Sequence, residues 1–185
     1  MERSKGYKGL LLRYKRVLNV NLFDTDGVIL IAVDDKFTLD YKGVYEVNRR
    51  SIHRQFLDRY YSKDSPHKTE LRNVVENRGN STEVVFEADG KIFILFAYSK
   101  QGERKEYSSQ LEYERGFKVI KGSIERVFRY CKLHFPNEIV YTAAVGSDIR
   151  NDYTKSLVMS VGGSKEELYQ LAKKVGITIK VISED

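Results

Sequence analysis

Four aspartates flank a short apolar stretch near the start of the chain. Asp24 and Asp26 precede residues 28–33, and Asp34 and Asp35 follow them. Carboxylates bind divalent metal ions, and a bound metal ion can activate water for hydrolysis. Because residues 28–33 are typical of an extended strand, at about 3.3 Å per residue, we expect the two pairs to be about 20 Å apart. The four carboxylates therefore cannot share one ion, and the run that begins at Asp24 lacks the remaining ligands of a calcium loop.

Three of the acidic residues are candidates for the catalytic group of a nuclease. The run LFDTDGV at residues 22–28 resembles the acidic end of the LAGLIDADG motif of homing endonucleases, in which an aspartate binds the catalytic metal ion. The resemblance implies a metal-dependent nuclease that uses Asp24 or Asp26 together with Mg²⁺. Asp89, followed by Glu103 and Lys105, has the spacing of restriction-type nucleases. That Glu-x-Lys pair falls in a polar predicted loop, so chance is the better explanation of this second pattern.

Basic and aromatic residues follow one another along a predicted helix over residues 48–61 and just beyond it. Arg50 and Arg54 lie one helical turn apart on a shared face, where Asp58 can pair with Arg54. Arginine suits contact with phosphate, and tyrosine suits stacking on bases. The candidate nucleic-acid contacts here are Arg49, Arg50, Arg54, Arg59, Tyr60, Tyr61, Lys63 and Lys68. A surface helix with internal ion pairs is the alternative interpretation.

The positive charge is concentrated toward the N-terminal end. The chain has 32 Lys and Arg against 26 Asp and Glu, for a net charge of +6. Glu2 is the only acidic residue among residues 1–20, whose basic residues include Arg13, Lys15 and Arg16. A basic patch attracts polyanions by releasing their counterions. These three residues are therefore further candidates for contact with nucleic acid.

The composition argues against several classes of protein. The longest apolar stretch, residues 92–98, is far shorter than the about 20 residues of a membrane helix. The start of the chain lacks the apolar segment of a secretory signal. The single cysteine, Cys131, excludes an intramolecular disulfide and indicates a reducing, cytoplasmic location. No His/Cys spacing indicates zinc, and we expect no cofactor.

The first hundred residues are typical of strand hairpins with two helices. The alternation of apolar and polar residues and the turn residues between them predict the strands. These strands cover residues 10–22, 28–33, 37–41, 44–47, 82–87 and 91–98. The clearest hairpin turns at Ala88-Asp89-Gly90. Beyond the helix over 48–61, a second helix is predicted to open at Pro66 and to end at Gly79.

The second half predicts the order β-α-β-β-α-β. The elements are a strand within 111–120, a helix over 123–134, strands over 139–145 and 156–161, a helix over 164–176 and a strand over 177–182. This order is typical of a ferredoxin-like fold, an antiparallel sheet with both helices on one face. We therefore predict an α+β protein built of antiparallel sheets with helices. It would have an N-terminal basic domain of residues 1–100 and a ferredoxin-like domain of residues 101–185, unless the chain forms one continuous domain.

Three functions stay open at this point. The first is a small basic protein that binds DNA or RNA, of the kind common on phages and mobile elements. The second is the metal-dependent nuclease, the only case in which we expect an enzyme or a need for Mg²⁺. The third is an inhibitor that binds a nucleoprotein complex through its charged face. We expect no membrane partner in any of the three cases.

Overall fold

The computed structural model describes residues 22–40, 51–99, 106–107, 110–143, 150–151 and 165–182. The strands in these ranges are β1 (Val28–Asp34), β2 (Glu83–Ala88), β3 (Lys91–Ser99), β4 (Glu106–Tyr107), β5 (Ile139–Ala143), β6 (Arg150–Asn151) and β7 (Thr178–Ile182). The helices are α1 (Ile52–Tyr60), α2 (Lys68–Glu76), α3 (Gln110–His134) and α4 (Lys165–Val175). None of these helices is long and apolar enough to cross a membrane.

Five strands form one mixed sheet in the order β2-β3-β1-β5-β7. The central strand β1 pairs in parallel with β3 on one side and with β5 on the other, and β5 pairs in parallel with β7. Only β2, of these five, is antiparallel to its neighbour, because a tight turn joins it to β3. A separate parallel pair joins β4 to β6. Four of the five strands in the main sheet therefore point the same way.

Helices cover both faces of this sheet. Residues Val28 through Val33 of β1 are all buried, as expected for a central parallel strand with helices on each side. One face packs against α1 and α2 through a core that includes Ile29, Ile31, Phe56, Leu57, Leu71 and Val75. The other face packs against α3 and α4 through a core that includes Leu30, Ile124, Val127, Phe128, Leu168 and Leu171. The protein is therefore built of three layers, helix, sheet and helix.

The predicted fold class, antiparallel and ferredoxin-like, is wrong. The predicted strand within 111–120 is part of α3, whose buried positions Ile120, Ile124, Val127 and Cys131 recur every three or four residues. This helix crosses the sheet to bring β5 parallel to β1, which a ferredoxin-like order does not allow. Strands from both sides of the predicted boundary near residue 100 share the main sheet.

Most of the other elements match the prediction. The helices α1, α2 and α4 and the β2–β3 hairpin lie where the sequence pattern places them. The described residues 37–40, predicted to begin a strand, form no strand. The predicted strands over 44–47 and 156–161, and all of the strand over 10–22 apart from Leu22, lie outside the described residues.

Candidate functional site

The topology of the main sheet predicts a ligand crevice at one edge. The parallel strands β1, β3, β5 and β7 end together at this edge, which we call the carboxyl edge; the opposite one is the amino edge. After β1 the chain passes to α1 on one face, whereas after β3 and β5 it passes to α3 and α4 on the other face. In open α/β sheets, ligands bind outside the strand ends where the connections diverge in this way. The end of β1 is therefore the candidate ligand site.

A compact turn follows β1 at the carboxyl edge. The Oδ1 atom of Asp34 accepts hydrogen bonds from the backbone N–H groups of Lys36, at 2.9 Å, and Thr38, at 3.2 Å. Between them the buried Phe37 has a φ of 52°, in the left-handed region that a bulky residue rarely adopts. Asp35 and Lys36 are exposed. Asp34 therefore shapes the turn from inside, while its two neighbours face solvent.

His53, near the start of α1, holds the same turn from the helix side. Its Nε2 atom lies 2.8 Å from the carbonyl oxygen of Thr38, and its Nδ1 atom lies 3.8 Å from Oδ2 of Asp34. Because a carbonyl oxygen only accepts, Nε2 carries the proton and donates it. Burial lowers the pKa of His53 from 6.5 to about 4, against the opposing effects of the Asp34 charge and the Thr38 hydrogen bond. The imidazole is therefore neutral at physiological pH.

Arg78, just after α2, makes a second attachment to this turn. Its Nη2 atom donates to the carbonyl oxygen of Lys36 at 3.3 Å, and its guanidinium lies 4.8 Å from the ring centre of Phe37. The Nη1 atom donates to the carbonyl oxygen of Val75 at 2.9 Å, which ties the side chain to its own helix. The turn after β1 is therefore held by groups from both helices of one layer.

Three helices begin at the carboxyl edge. The helix α1 starts after Ser51, whose Oγ accepts from the N–H of Arg54 at 3.1 Å, and His53 in its first turn contacts the end of β1. The helices α3 and α4 end a few residues before β5 and β7 begin, so their C-termini lie at the amino edge and their N-termini at the carboxyl edge. Unpaired N–H groups and the helix dipole favour anions at such N-termini. The carboxyl edge is therefore suited to an anionic ligand.

The predicted catalytic acids lie at the opposite edge. Asp24 and Asp26 are exposed just before β1 begins. Asp89 lies in the β2–β3 turn with a φ of 54°, where its Oδ1 is 3.4 Å from Nε2 of His67 and its carboxylate binds the Tyr60 hydroxyl. Burial, followed by the charge and hydrogen bond of Asp89, raises the pKa of Tyr60 to about 12. In the described part of the chain, no three His, Cys, Asp or Glu residues group together as a metal site.

The predicted basic contacts are spread over several environments. Arg13, Lys15, Arg16, Arg49 and Arg50 lie outside the described residues. The Nε atom of Arg54 lies 3.2 Å from Oδ1 of Asp58, as the alternative interpretation of this helix expected. The guanidinium of Arg59 lies 4.5 Å from the ring centre of Phe23, which is buried.

The aromatic residues of this helix do not form a stacking platform. Tyr60 is 4% exposed and packs among buried rings in the α1–α2 core. The Tyr61 hydroxyl accepts from Nη2 of Arg72 at 2.7 Å, and Nζ of Lys68 lies 5.0 Å from the Tyr61 ring centre. Lys63 is exposed in the loop after α1. Tyr60 is therefore a core residue, and Tyr61 is covered in part by two cations.

The sequence interpretation missed the residues that shape the turn. The charge pattern gives neither His53 nor Arg78 a separate role, because His53 lies among the basic residues of the predicted helix over 48–61 and Arg78 lies where the second predicted helix ends. The available signal was Asp34, an acidic residue directly after an apolar run that shows no alternation. Such a run is typical of a strand buried on both faces, and its last residue lies where ligands bind.

The fold and this edge define a three-layer α/β protein whose candidate ligand site lies at the ends of its parallel strands. The chain matches the family model described as Thoeris protein ThsA, Macro domain, over residues 16–179. The chain therefore belongs to this Macro domain family. No curated protein sequence matches it.

The family corrects the predicted function. The interpretation as a DNA- or RNA-binding protein is wrong, and so are its two alternatives, the nuclease and the inhibitor of a nucleoprotein complex. A positive net charge does not distinguish a nucleic acid from a small anionic ligand, because both are attracted by it. The run at residues 22–28 that resembles the LAGLIDADG motif is not part of the candidate site, since Asp24 and Asp26 lie at the opposite edge of the sheet.

Proposed function

We propose that the protein binds an ADP-ribose-type nucleotide as the Macro domain of a Thoeris anti-phage defence system. The match to the Macro domain family over residues 16–179 carries this proposal, because Macro domains bind ligands of the ADP-ribose type. The binding site is the carboxyl edge of the sheet, around the turn that follows β1. The protein acts in the cytoplasm, where its one cysteine stays reduced.

The chemistry of ADP-ribose suits this edge in two ways. Its diphosphate is anionic, and the N-termini of α1, α3 and α4 offer N–H groups and positive dipole ends there. The net charge of +6 further favours the approach of an anion. Metal ions are not needed for such contacts, so binding is expected to persist in the presence of a chelator.

The sugar hydroxyls of the nucleotide require hydrogen-bond acceptors. Carboxylates fill this role for ribose in other nucleotide-binding α/β folds. Asp35 is exposed at the end of β1, next to Asp34, whose Oδ1 accepts from the turn. Asp35 is therefore our candidate for contact with a ribose hydroxyl.

Calorimetric titration of the full chain with ADP-ribose tests the proposal. We expect saturable binding of one ADP-ribose per chain, unaffected by EDTA, and weaker binding of AMP, which lacks the second phosphate and the second ribose. Loss of one hydrogen bond to a charged acceptor in Asp35→Ala is expected to weaken binding about tenfold.

The matched control is Asp26→Ala, since Asp26 is also exposed next to β1 but lies at the amino edge. This variant is expected to bind ADP-ribose as the unaltered protein does. Absence of saturable binding by the unaltered protein would contradict the proposed function. Equal weakening by both variants would contradict the placement of the site.

A further inference from the structure

We propose that His53 is a positioning residue that holds the turn after β1 in the shape that receives the nucleotide. The inference rests on the proposed function, because it concerns the same edge of the sheet. It assigns to a buried side chain of α1 a role in ligand affinity without any contact with the ligand.

Both backbone polar groups of Thr38 are held by side chains. Its N–H donates to Oδ1 of Asp34 at 3.2 Å, and its carbonyl oxygen accepts from Nε2 of His53 at 2.8 Å. Asp34 is the last residue of β1, and His53 lies in the first turn of α1. Thr38 is therefore fixed between the sheet and a helix, and the exposed Asp35 and Lys36 are held at the crevice.

The support behind His53 is rigid. Its helix buries Phe56 and Leu57 completely in the α1–α2 core, and the His53 side chain itself is only 6% exposed. A change at His53 would therefore act first on the turn, because the Thr38 carbonyl oxygen would lose the donor from His53 while the helix keeps its core contacts.

The turn needs such support because it includes an unfavourable backbone conformation. Phe37 has a φ of 52°, which costs a bulky residue free energy and persists only where surrounding contacts enforce it. Those contacts include the hydrogen bonds at Thr38, the hydrogen bond from the Phe37 N–H to the Asp34 carbonyl oxygen at 3.1 Å and the Arg78 guanidinium over the Phe37 ring. Without the donor from His53, we expect residues 35–38 to sample other conformations.

Burial keeps the His53 imidazole neutral, although a carboxylate lies beside it. The charged group that faces His53 is Asp34, whose Oδ2 is 3.8 Å from Nδ1, and Asp34 also binds the N–H groups of the turn through Oδ1. With its pKa near 4, the imidazole stays neutral, and the proton on Nε2 remains available to the Thr38 carbonyl.

Three substitutions distinguish the effect of the hydrogen bond from His53 to Thr38 from the effect of the packing of the His53 ring. In His53→Gln the amide nitrogen can reach the position of Nε2 and donate to Thr38. The shorter amide of His53→Asn cannot reach it, and His53→Leu fills the space without any donor. Two quantities are measured on the full chain: the affinity for ADP-ribose by calorimetry, and the hydrogen-exchange rates of the Lys36 and Thr38 amides by NMR.

We expect His53→Leu and His53→Asn to weaken ADP-ribose binding and to speed exchange at Thr38, each by about tenfold, as for one lost hydrogen bond. His53→Gln is expected to stay within about threefold of the unaltered protein on both measurements. If His53→Leu does not fold, the comparison of His53→Asn with His53→Gln on the same two measurements tests the inference.

Two results would overturn the inference. One is unchanged exchange at Thr38 in the variants that lack a donor. The other is that His53→Gln and His53→Asn weaken ADP-ribose binding equally while the two variants have the same thermal stability. If the unaltered protein does not bind ADP-ribose, the proposed function fails, and the exchange rates alone then decide whether His53 holds the turn.

Discussion

Gly27 lies directly against the ring of Tyr141. A Cβ atom added at Gly27 would be 2.5 Å from Cε2 of Tyr141 and 2.5 Å from the carbonyl oxygen of Ile139. This close approach occurs where β1 begins, one residue before Val28 pairs with Val140 of β5. Only glycine fits between the start of β1 and the neighbouring strand β5 at this point.

Gly27→Ala is therefore expected to destabilise the fold. Overpacking of this kind costs about 1–3 kcal/mol of unfolding free energy, because backbone and ring must move apart. Unfolding in urea, monitored by circular dichroism, measures the change. The control is Gly122→Ala on α3, where an added Cβ meets nothing within 4 Å. The unfolding free energy of this control variant should rise by about 0.5–1 kcal/mol, since alanine favours the helix more than glycine does. Destabilisation of equal size in both variants would contradict the prediction.

His53 is expected to make stability depend on pH in the mildly acidic range. Its pKa is about 4 in the folded protein, against 6.5 for an ordinary histidine, so between these values the unfolded chain binds more protons. The unfolding free energy should therefore fall as pH falls from about 6.5 to about 4, by up to about 1.4 kcal/mol per pH unit.

The variant His53→Gln isolates this contribution, because glutamine does not titrate. Urea unfolding of both proteins across this range should show a steeper loss of stability for the unaltered protein. If the unfolding free energies of the two proteins fell by the same amount with pH, burial would not lower the pKa of His53 as described.

Arg126 is expected to stabilise the attachment of α3 to the edge of the sheet. Its Nε atom lies 3.2 Å from Oε1 of Glu83, and its Nη2 atom donates to the carbonyl oxygen of Ala97 at 3.0 Å. Because the Glu83 side chain is only 9% exposed, Arg126→Ala leaves a largely buried carboxylate without its cation. We expect a loss of about 1–3 kcal/mol in urea unfolding.

Arg129 provides the comparison on the same helix. It pairs with Glu125 at 2.9 Å in an exposed i, i+4 arrangement, so Arg129→Ala should cost no more than about 0.5 kcal/mol. A larger loss from Arg129→Ala than from Arg126→Ala would contradict the reasoning.

Cys131 is expected to be inert toward thiol reagents in the folded protein. It is fully buried in the α3–α4 core, and burial raises the pKa of its thiol to about 12, so the reactive thiolate is scarce. Reaction with Ellman's reagent should release one equivalent in denaturant and almost none in buffer. The reaction rate should rise with urea in parallel with global unfolding, whereas fast complete reaction of the native protein would contradict the burial.

Several elements of this fold could be predicted because their signals are local. Asp89 and Gly90 form the turn of the β2–β3 hairpin with φ values of 54° and 71°. Gly79 and Gly176, with φ values of 61° and 89°, follow the ends of α2 and α4, as helix-ending glycines do. Such preferences depend on a few neighbouring residues and need no knowledge of the rest of the chain.

The direction and order of the strands could not be predicted in this way. An apolar run such as residues 28–33 indicates a strand buried on both faces, but it does not specify which strands pair with it or in what order. The segment 111–120, predicted to contain a strand, belongs instead to one 25-residue helix, Gln110–His134. The long crossover helix, and with it the parallel sheet, became evident only in the tertiary structure.

The sequence by itself determined the charge balance, most of the helices and the apolar central strand. The tertiary structure alone decided the candidate site, because its residues are far apart in the chain. Lys36 and Arg78, 42 positions apart, meet at one turn, and His53 joins Thr38 across 15 positions. On the sequence, His53 is one more basic residue of a charged helix. Burial makes it a neutral donor, and burial is a property of the packed layers, which no local pattern specifies.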